Sequence, residues 1–504
     1  MAQFRTKARA VELLGKGQIA DLPTAISELW KNGYDAYADK LSCNLYLPGY
    51  KDNQAPVFTL SDNGFGMSKH DILNKWIVLG TDSKARGRSY LTDEERFGKA
   101  IRVPMGEKGI GRLSVAYLGS PMLMLTKKKN QKCQLLFIDW RILENYNLFI
   151  DDINIPLSEF STIEEFSISF LDMQADFQNN LNESQWRDQQ TQLETITTDV
   201  ESLVIPDFIL EEIIPDFLQE EYHGTTFLIF QPNEQLLELA DCFKNEDTDS
   251  ITEIRRSLSG IYNVFAEIPN FSTAFNIIDD KGEYDIINDF FEHEDFNNSD
   301  HYIKGHFDEN GLFTGIVRVF KETFNYTYRP VRSPGKTPYG PFDVELSVLE
   351  GTPKNTMLTP EMYQFMNTKT DKFGGLYIYR DNFRVLPYGR VDYDFLKFEE
   401  RRTRKAGYYF FSHRNIFGYI AIGREQNPHL IDKAGREGLI ENKAYREFKK
   451  DLIQFFIALA MAYFKSGDEN DPNNQNSHTE QLKEIRKTSN PQLSSSASFL
   501  RLNV

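Results

Sequence analysis

The residues with the clearest chemical potential stand on one short segment. Over 24–40, TAISELWKNGYDAYADK, the spacing predicts a helix capped by Thr24 and packed through Ala25, Ile26, Leu29, Ala36 and Tyr37. Glu28, Asn32 and Asp35 follow one another at helical spacing, so they share one face. The outer face of an ordinary surface helix carries the same kind of stripe. Two glycine-rich stretches downstream tip the balance. LSDNGFGM sets Asp62 at the end of a predicted strand, followed by Gly64, Gly66 and Met67. GEKGIGR, residues 106–112, gathers Gly106, Lys108, Gly109, Ile110, Gly111 and Arg112 just before a short predicted helix. Backbone N–H groups clustered at a helix N-terminus suit phosphate, and Lys108 can add a point charge. The order of a Walker A loop, GxxxxGK[ST], is missing. No strand leads into GEKGIG, which a Rossmann fingerprint would need.

These residues need a sheet and a loop to position them. Residues 41–47 and 55–61 read as strands, and 68–79 as a helix capped by Ser68. Residues 80–105 are charged, contain three glycines and show little periodicity. Such a long loop reads as a lid or binding loop. Further strands are predicted at 122–126, 134–140 and 166–170. Residues 173–222 read as an inserted acidic helical segment, and 225–230 as a strand that returns to the sheet. Helices follow near 233–246 and 250–265. A second domain is expected to open near 270. It carries a hairpin of 302–306 with 313–328 around DENG, strands at 342–349, 375–379, 383–386 and 416–422, and helices at 394–402 and 441–464. From 465 on, the polar composition predicts a disordered tail.

Composition narrows the classes. A chain of 504 residues implies two or three domains. The net charge of −17 argues against diffuse attraction to nucleic acid or a membrane surface, though not against a local basic groove. Three cysteines without a CxxC pair predict neither a disulfide framework nor a zinc site. The N-terminus has no apolar core of signal-peptide type, and the apolar run 452–464 is too short to span a bilayer. A reducing, cytoplasmic location is expected. RRTRK at 401–405 and KKK at 127–129 have two readings, solvated charge or contacts to nucleic-acid phosphates.

Taken together, the motifs resemble those of the GHKL ATPases, the superfamily of type II topoisomerases, heat-shock chaperones, MutL and MORC proteins and sensor histidine kinases. ELWKNGYDA is similar to its E-x-x-x-N-x-x-D-A helix, and DNGFGM to its adenine loop. GEKGIGR is similar to its second glycine box, and HGTTFLIF to the strand closing the adenine pocket. GEKGIGRLS with GTDSK in the lid is most like the bacterial MORC-like branch. The resemblance implies an α+β chain. A Bergerat-type α/β sandwich would occupy 1–265, with its lid at 80–105 and its acidic insertion at about 173–222. A transducer-like α/β domain would occupy 266–465, and 466–504 would be the tail. It implies ATP and Mg²⁺. Glu28 would be the general base and Asn32 the metal ligand, with Asp35 supporting the pocket floor. Asp62 would accept from the adenine amino group and share a water with Thr225. Gly64, Gly66 and Met67 would lie along the base, Gly106–Arg112 would wrap the triphosphate, and Lys84 would reach it from the lid. DKAGREGLIENKAY resembles the chaperones' catalytic loop, which makes Arg436 the cationic finger, although Gly435 and Ile440 depart from that pattern. Lys433 is the alternative by analogy with topoisomerases.

The function implied is ATP-driven lid closure and formation of a homodimeric clamp. Its partners would be DNA or RNA, with a role in bacterial genome defence, or an operon-encoded protein, but no membrane. The rival classes are a chaperone acting on protein clients and a regulatory ATP-binding module with little turnover.

Overall fold

A computed structural model describes residues 5–15, 17, 19, 21–79, 92–105, 111–244, 254–265, 271–332, 335–404, 409–433 and 438–464. The chain falls into two compact units, each α+β with a mixed sheet. The first holds Met1–Leu258 and Pro269–Asn288, and the second holds Ser259–Ile268 and Asp289–Val504.

The first unit is built on an eight-stranded sheet in the order β5-β4-β3-β6-β2-β1-β7-β8. Its strands are β1 (Lys40–Tyr46), β2 (Val57–Asp62), β3 (Met122–Lys127), β4 (Cys133–Ile138), β5 (Leu157–Phe160), β6 (Gly224–Ile229), β7 (Ser272–Asp279) and β8 (Gly282–Asp285). All pairs are antiparallel except β1 with β7. The parallel pair matters for the domain boundary. The sequence reading opens the second domain near 270, but β7 and β8 extend the first sheet, with Phe275 and Ile277 fully buried. The chain therefore crosses to the second unit at 258/259, returns, and leaves at 288/289 rather than at 265.

Two helices differ from their predicted form. α1 spans Ala8–Leu14, and the next helix, α2, spans Leu22–Asp35 rather than 24–40. Asp21 caps it, accepting from the Thr24 amide at 2.8 Å, while Thr24 itself is buried in the first turn. Tyr37 takes a positive φ of 62°, which ends the helix, and β1 begins at Lys40. Residues 166–170 are not a strand. They lie inside the helix Ile163–Gln178, capped by Thr162, with Phe166, Phe170, Met173 and Phe177 turned to the core. Phe137 of β4 meets Phe170 and Phe177 edge-on at 6.0 and 5.5 Å. The acidic insertion is thus helical from 163, ten residues earlier than its composition suggests.

The second unit carries a seven-stranded sheet in the order β11-β10-β9-β12-β15-β13-β14. β9 (His301–Phe307), β10 (Phe313–Val319) and β11 (Glu322–Tyr328) form a meander, so the predicted strand 313–328 is two strands. β12 (Phe342–Val348), β13 (Gly375–Arg380), β14 (Phe383–Arg384) and β15 (Ile416–Ile422) complete it. The long helix Lys443–Tyr463 lays Phe448, Leu452, Phe455, Phe456 and Leu459 into its core. Among the described residues, no helix is long and apolar enough to cross a membrane. The predicted tail, 466–504, lies outside the described residues.

Candidate functional site

β2, β6 and β3 put three polar side chains in one row. Asp62 pairs with Thr225 across β2 and β6, and Thr225 pairs with Thr126 across β6 and β3. Directly opposed residues of antiparallel strands face the same side of a sheet, so the three share a face. The Thr225 and Thr126 hydroxyls are 2.9 Å apart, and Thr126 Oγ1 also accepts from the Met67 amide at 2.9 Å. That bond ties the DNGFGM loop to β3. At Asp62, the Gly64 amide donates to Oδ1 at 2.8 Å.

α2 lies close against this row, and a glycine permits it. A Cβ at Gly33 would stand 2.5 Å from Leu41 Cδ2 and 3.0 Å from Asp62 Cβ. Gly64 closes on the end of the same helix, where a Cβ would meet Ala36 Cβ at 2.7 Å. Gly66 has a φ of +68°, and a side chain there would run into the Lys127 carbonyl. A helix-interior glycine costs about 1 kcal/mol against alanine, which makes Gly33 a signal of close approach rather than a neutral choice. Sequence reasoning passed over it.

Along α2, Glu28 is 7% exposed, and Lys31 Nζ lies 3.0 Å from its Oε1. Asp35 accepts from the Met105 amide at 2.7 Å, so it holds the C-terminal end of the predicted lid. Asn32 sits between them on the same face, partly exposed. Among the described residues, no group of three His, Cys, Asp or Glu side chains could hold a metal by itself. A lone Asn fits an ion that takes most of its oxygens from phosphate and water, as Mg²⁺ does.

Residues 20–169 match the family model described as histidine kinase-, DNA gyrase B-, and HSP90-like ATPase. The match supports a GHKL-type ATPase domain over these residues. The match contains α2, the DNGFGM loop and the 106–112 glycine box. No curated protein matches the chain. A solved structure titled "Crystal Structure of N terminal domain of a DNA repair protein" aligns with 90% of this chain and 99% of its own. Its identity is 13% and its TM-score 0.42, and neither residue roles nor function follow from it.

Other contacts within the first unit carried no sign in the sequence. Phe97 stacks on His223 with ring centres 4.2 Å apart, and His223 Nδ1 donates to the Gly64 carbonyl at 2.8 Å. Lys99 Nζ donates to Tyr37 O at 2.8 Å and pairs with Asp39. Arg102 lies over the Tyr34 ring at 4.4 Å and donates to Ala38 O at 2.7 Å. Described residues 92–105 are therefore fastened to the end of α2 and to the DNGFGM loop.

The KKK run is neither solvated nor open to nucleic acid at its first two positions. Lys127 is buried and donates to the carbonyls of Phe217 and Gln219. Lys128 bridges Asp71 at 3.0 Å and Glu95 at 3.1 Å. Burial raises the Asp71 pKa, but Lys75, Ser68 and Lys128 together hold it well below the usual carboxylate range. Only Lys129 is at the surface, paired with Glu221. In RRTRK, Glu400 pairs with Arg404 and with the preceding Lys397, while Lys405 lies outside the described residues.

Of the other predicted site residues, Lys84, Gly106, Lys108, Gly109 and Ile110 lie outside the described residues. Gly111 and Arg112 open a short 3-10 turn, and Arg112 donates to the Trp76 carbonyl at 2.9 Å. In the second unit, Lys433 donates its amide to the Gly438 carbonyl at 2.9 Å, within a bridge of Asp432 to Leu439. Arg436 lies outside the described residues. A cavity of about 520 Å³ near Val11, Leu113, Trp140 and Phe230 contains none of the predicted residues, so chemistry and not volume marks the site.

Desolvation pushes the Asp62 carboxyl up to about 6 from 3.8, against the opposing pull of the Gly64 amide. The folded protein holds the proton more tightly than the unfolded chain, so this group's contribution to stability falls as pH rises through the window from 3.8 to about 6. Asp62→Asn is expected to melt at a higher temperature than wild type at pH 7, with the gap narrowing toward pH 4. Melts of both proteins in the absence of nucleotide check it, and a gap independent of pH contradicts it.

Proposed function

We propose that the first unit binds ATP with Mg²⁺ and hydrolyses it, and that nucleotide state controls the lid at 80–105. The observation that carries this reading is the pressing of α2, through Gly33, onto Asp62 in the Asp62–Thr225–Thr126 row. One helix then spans from a buried carboxylate to an adenine-type acceptor. The GHKL type of residues 20–169 supports the same conclusion.

The residues present fit the substrate. Asp62 has an acceptor oxygen for the exocyclic amine of adenine, and Thr225 and Thr126 offer hydroxyls beside it. Gly64, Gly66 and Met67 bring the backbone near the base. Asn32 would hold Mg²⁺, which when bound supplies charge neutralisation at the phosphates. The 106–112 glycine box, with Lys84 from the lid, would cradle the triphosphate. Glu28 would orient a water and take its proton as the water oxygen bonds to the γ-phosphorus, while the bridging P–O bond breaks to leave ADP. Arg436, or in its place Lys433, would stabilise the charge that develops in that step.

Lid ordering is the coupling step of the proposal. With Arg102 and Met105 fastened to α2 and Lys99 to the turn that follows it, nucleotide would order the segment before them. Tryptic cleavage at Lys84, Arg86 or Arg88 is expected to be suppressed by a non-hydrolysable ATP analogue with Mg²⁺. Equal cleavage with and without the analogue contradicts the coupling.

The clamp itself, two copies joined on ATP and closed on DNA or RNA in the manner of MORC-like proteins, rests on the motif resemblance. ATP turnover with and without duplex DNA tests it. Stimulation is expected, and an unchanged rate removes nucleic acid as the partner.

A further inference from the structure

We infer that the outer face of the Ile163–Gln178 helix docks a basic amphipathic helix of a protein partner. The inner face of this helix is fixed in the core by Phe166, Phe170, Met173 and Phe177. On the opposite side Ile168 is 62% exposed and Leu171 is 64% exposed, at i and i+3, with exposed Ala175 one turn further on. Single exposed apolar residues are ordinary. A stripe at helical spacing marks an interaction face.

Charge selects the occupant. Residues 161–222 hold fifteen Asp and Glu against one Arg, a net −14 of the chain's −17. Several of these carboxylates are spent within the fold, Asp199 on Arg141, Glu211 and Glu212 on Lys51, and Glu221 on Lys129. Glu164, Asp172 and Asp176 are exposed on the docking helix itself, with no cationic partner among the described residues. Nucleic acid and anionic membranes are repelled by such a surface. A second copy would bring the same −14 to the contact. A helix with an apolar stripe flanked by Lys and Arg is attracted and covers Ile168 and Leu171. This surface is independent of the nucleotide site.

The test titrates the full chain into a fluorescent synthetic peptide of about five helical turns, with leucines at i, i+3, i+4 and i+7 and lysines elsewhere. A scrambled peptide of equal composition is the control. The patterned peptide is expected to bind more tightly than the scrambled one. Ile168→Asp with Leu171→Asp is expected to weaken it about tenfold or more through lost apolar burial. The sign is diagnostic, because the added negative charge would tighten a purely coulombic contact. Asp172→Asn with Asp176→Asn is expected to weaken binding a few-fold at low ionic strength and little at high. If the Asp variant does not fold, Ile168→Ser with Leu171→Ser makes the same comparison without added charge. No binding of the patterned peptide, equal binding of the scrambled one, or a double variant that binds as tightly as wild type overturns the proposal. So does self-association of the chain that the same double variant abolishes.

Discussion

Glu28→Ala is expected to lower ATP turnover by about 10²–10⁴-fold, the usual contribution of a general base, while leaving ATP affinity nearly unchanged. The carboxylate is buried at the middle of α2, and Lys31, which lies 3.0 Å from it, is a neighbour on the same helix. Its proposed partner is water, so its loss removes proton acceptance and not a contact to nucleotide. The protein should then accumulate with ATP bound, as a larger species in sizing experiments with ATP. Arg436→Ala should also lower turnover, by removing stabilisation of developing charge, but it should lose the larger species as well. Phosphate release and sizing of the two variants side by side separate the roles. Normal turnover in Glu28→Ala would reassign the base. Normal turnover in Arg436→Ala with a dead Lys433→Ala would move the finger to the lysine.

Asp62→Asn is expected to weaken ATP binding about 10- to 150-fold, the worth of a hydrogen bond to a charged group at about 1.5–3 kcal/mol. The substitution keeps the size of the side chain and its bond from the Gly64 amide, so the fold around Gly33 and Leu41 is preserved. What changes is the acceptor. An amide can present its N–H₂ to the adenine amine, and a carboxylate cannot. Because burial lifts the Asp62 carboxyl to about 6, wild-type affinity should also fall as pH drops through that value, while the variant's stays level. Calorimetry across pH measures both effects. Unchanged affinity in a folded variant would remove adenine from Asp62.

Some of this was legible in the sequence because it is local. Asp62 followed by Gly64 and Gly66 announces a strand end and a tight loop, and both are present. Glu28, Asn32 and Asp35 share a face because α2 forms. What failed to show was either non-local or ambiguous over a short window. FSISF alternates with period two, yet Phe166, Phe170, Met173 and Phe177 follow the helical period, and only the longer window decides. β7 joins β1 in parallel across more than two hundred residues, so no local pattern reveals it. A run of three lysines carries no mark of burial, although Lys127 satisfies carbonyls at the end of an α-helix and Lys128 neutralises Asp71 and Glu95. Gly33 had a signal, its cost within a helix, and Phe97 with His223 had none, since their stacking depends on the path of the lid.

The central claim is that the first unit seats an adenine base on Asp62. Competition between ATP and GTP for the intact protein, with Mg²⁺ and at pH 7.5, measured by calorimetric displacement, tests it most directly. Guanine presents a carbonyl where adenine presents an amine, so an ionised Asp62 should repel it. The account predicts one ATP per chain and a strong preference for ATP over GTP that Asp62→Asn largely erases. Equal affinity for the two nucleotides, or a preference that Asp62→Asn leaves intact, would contradict it.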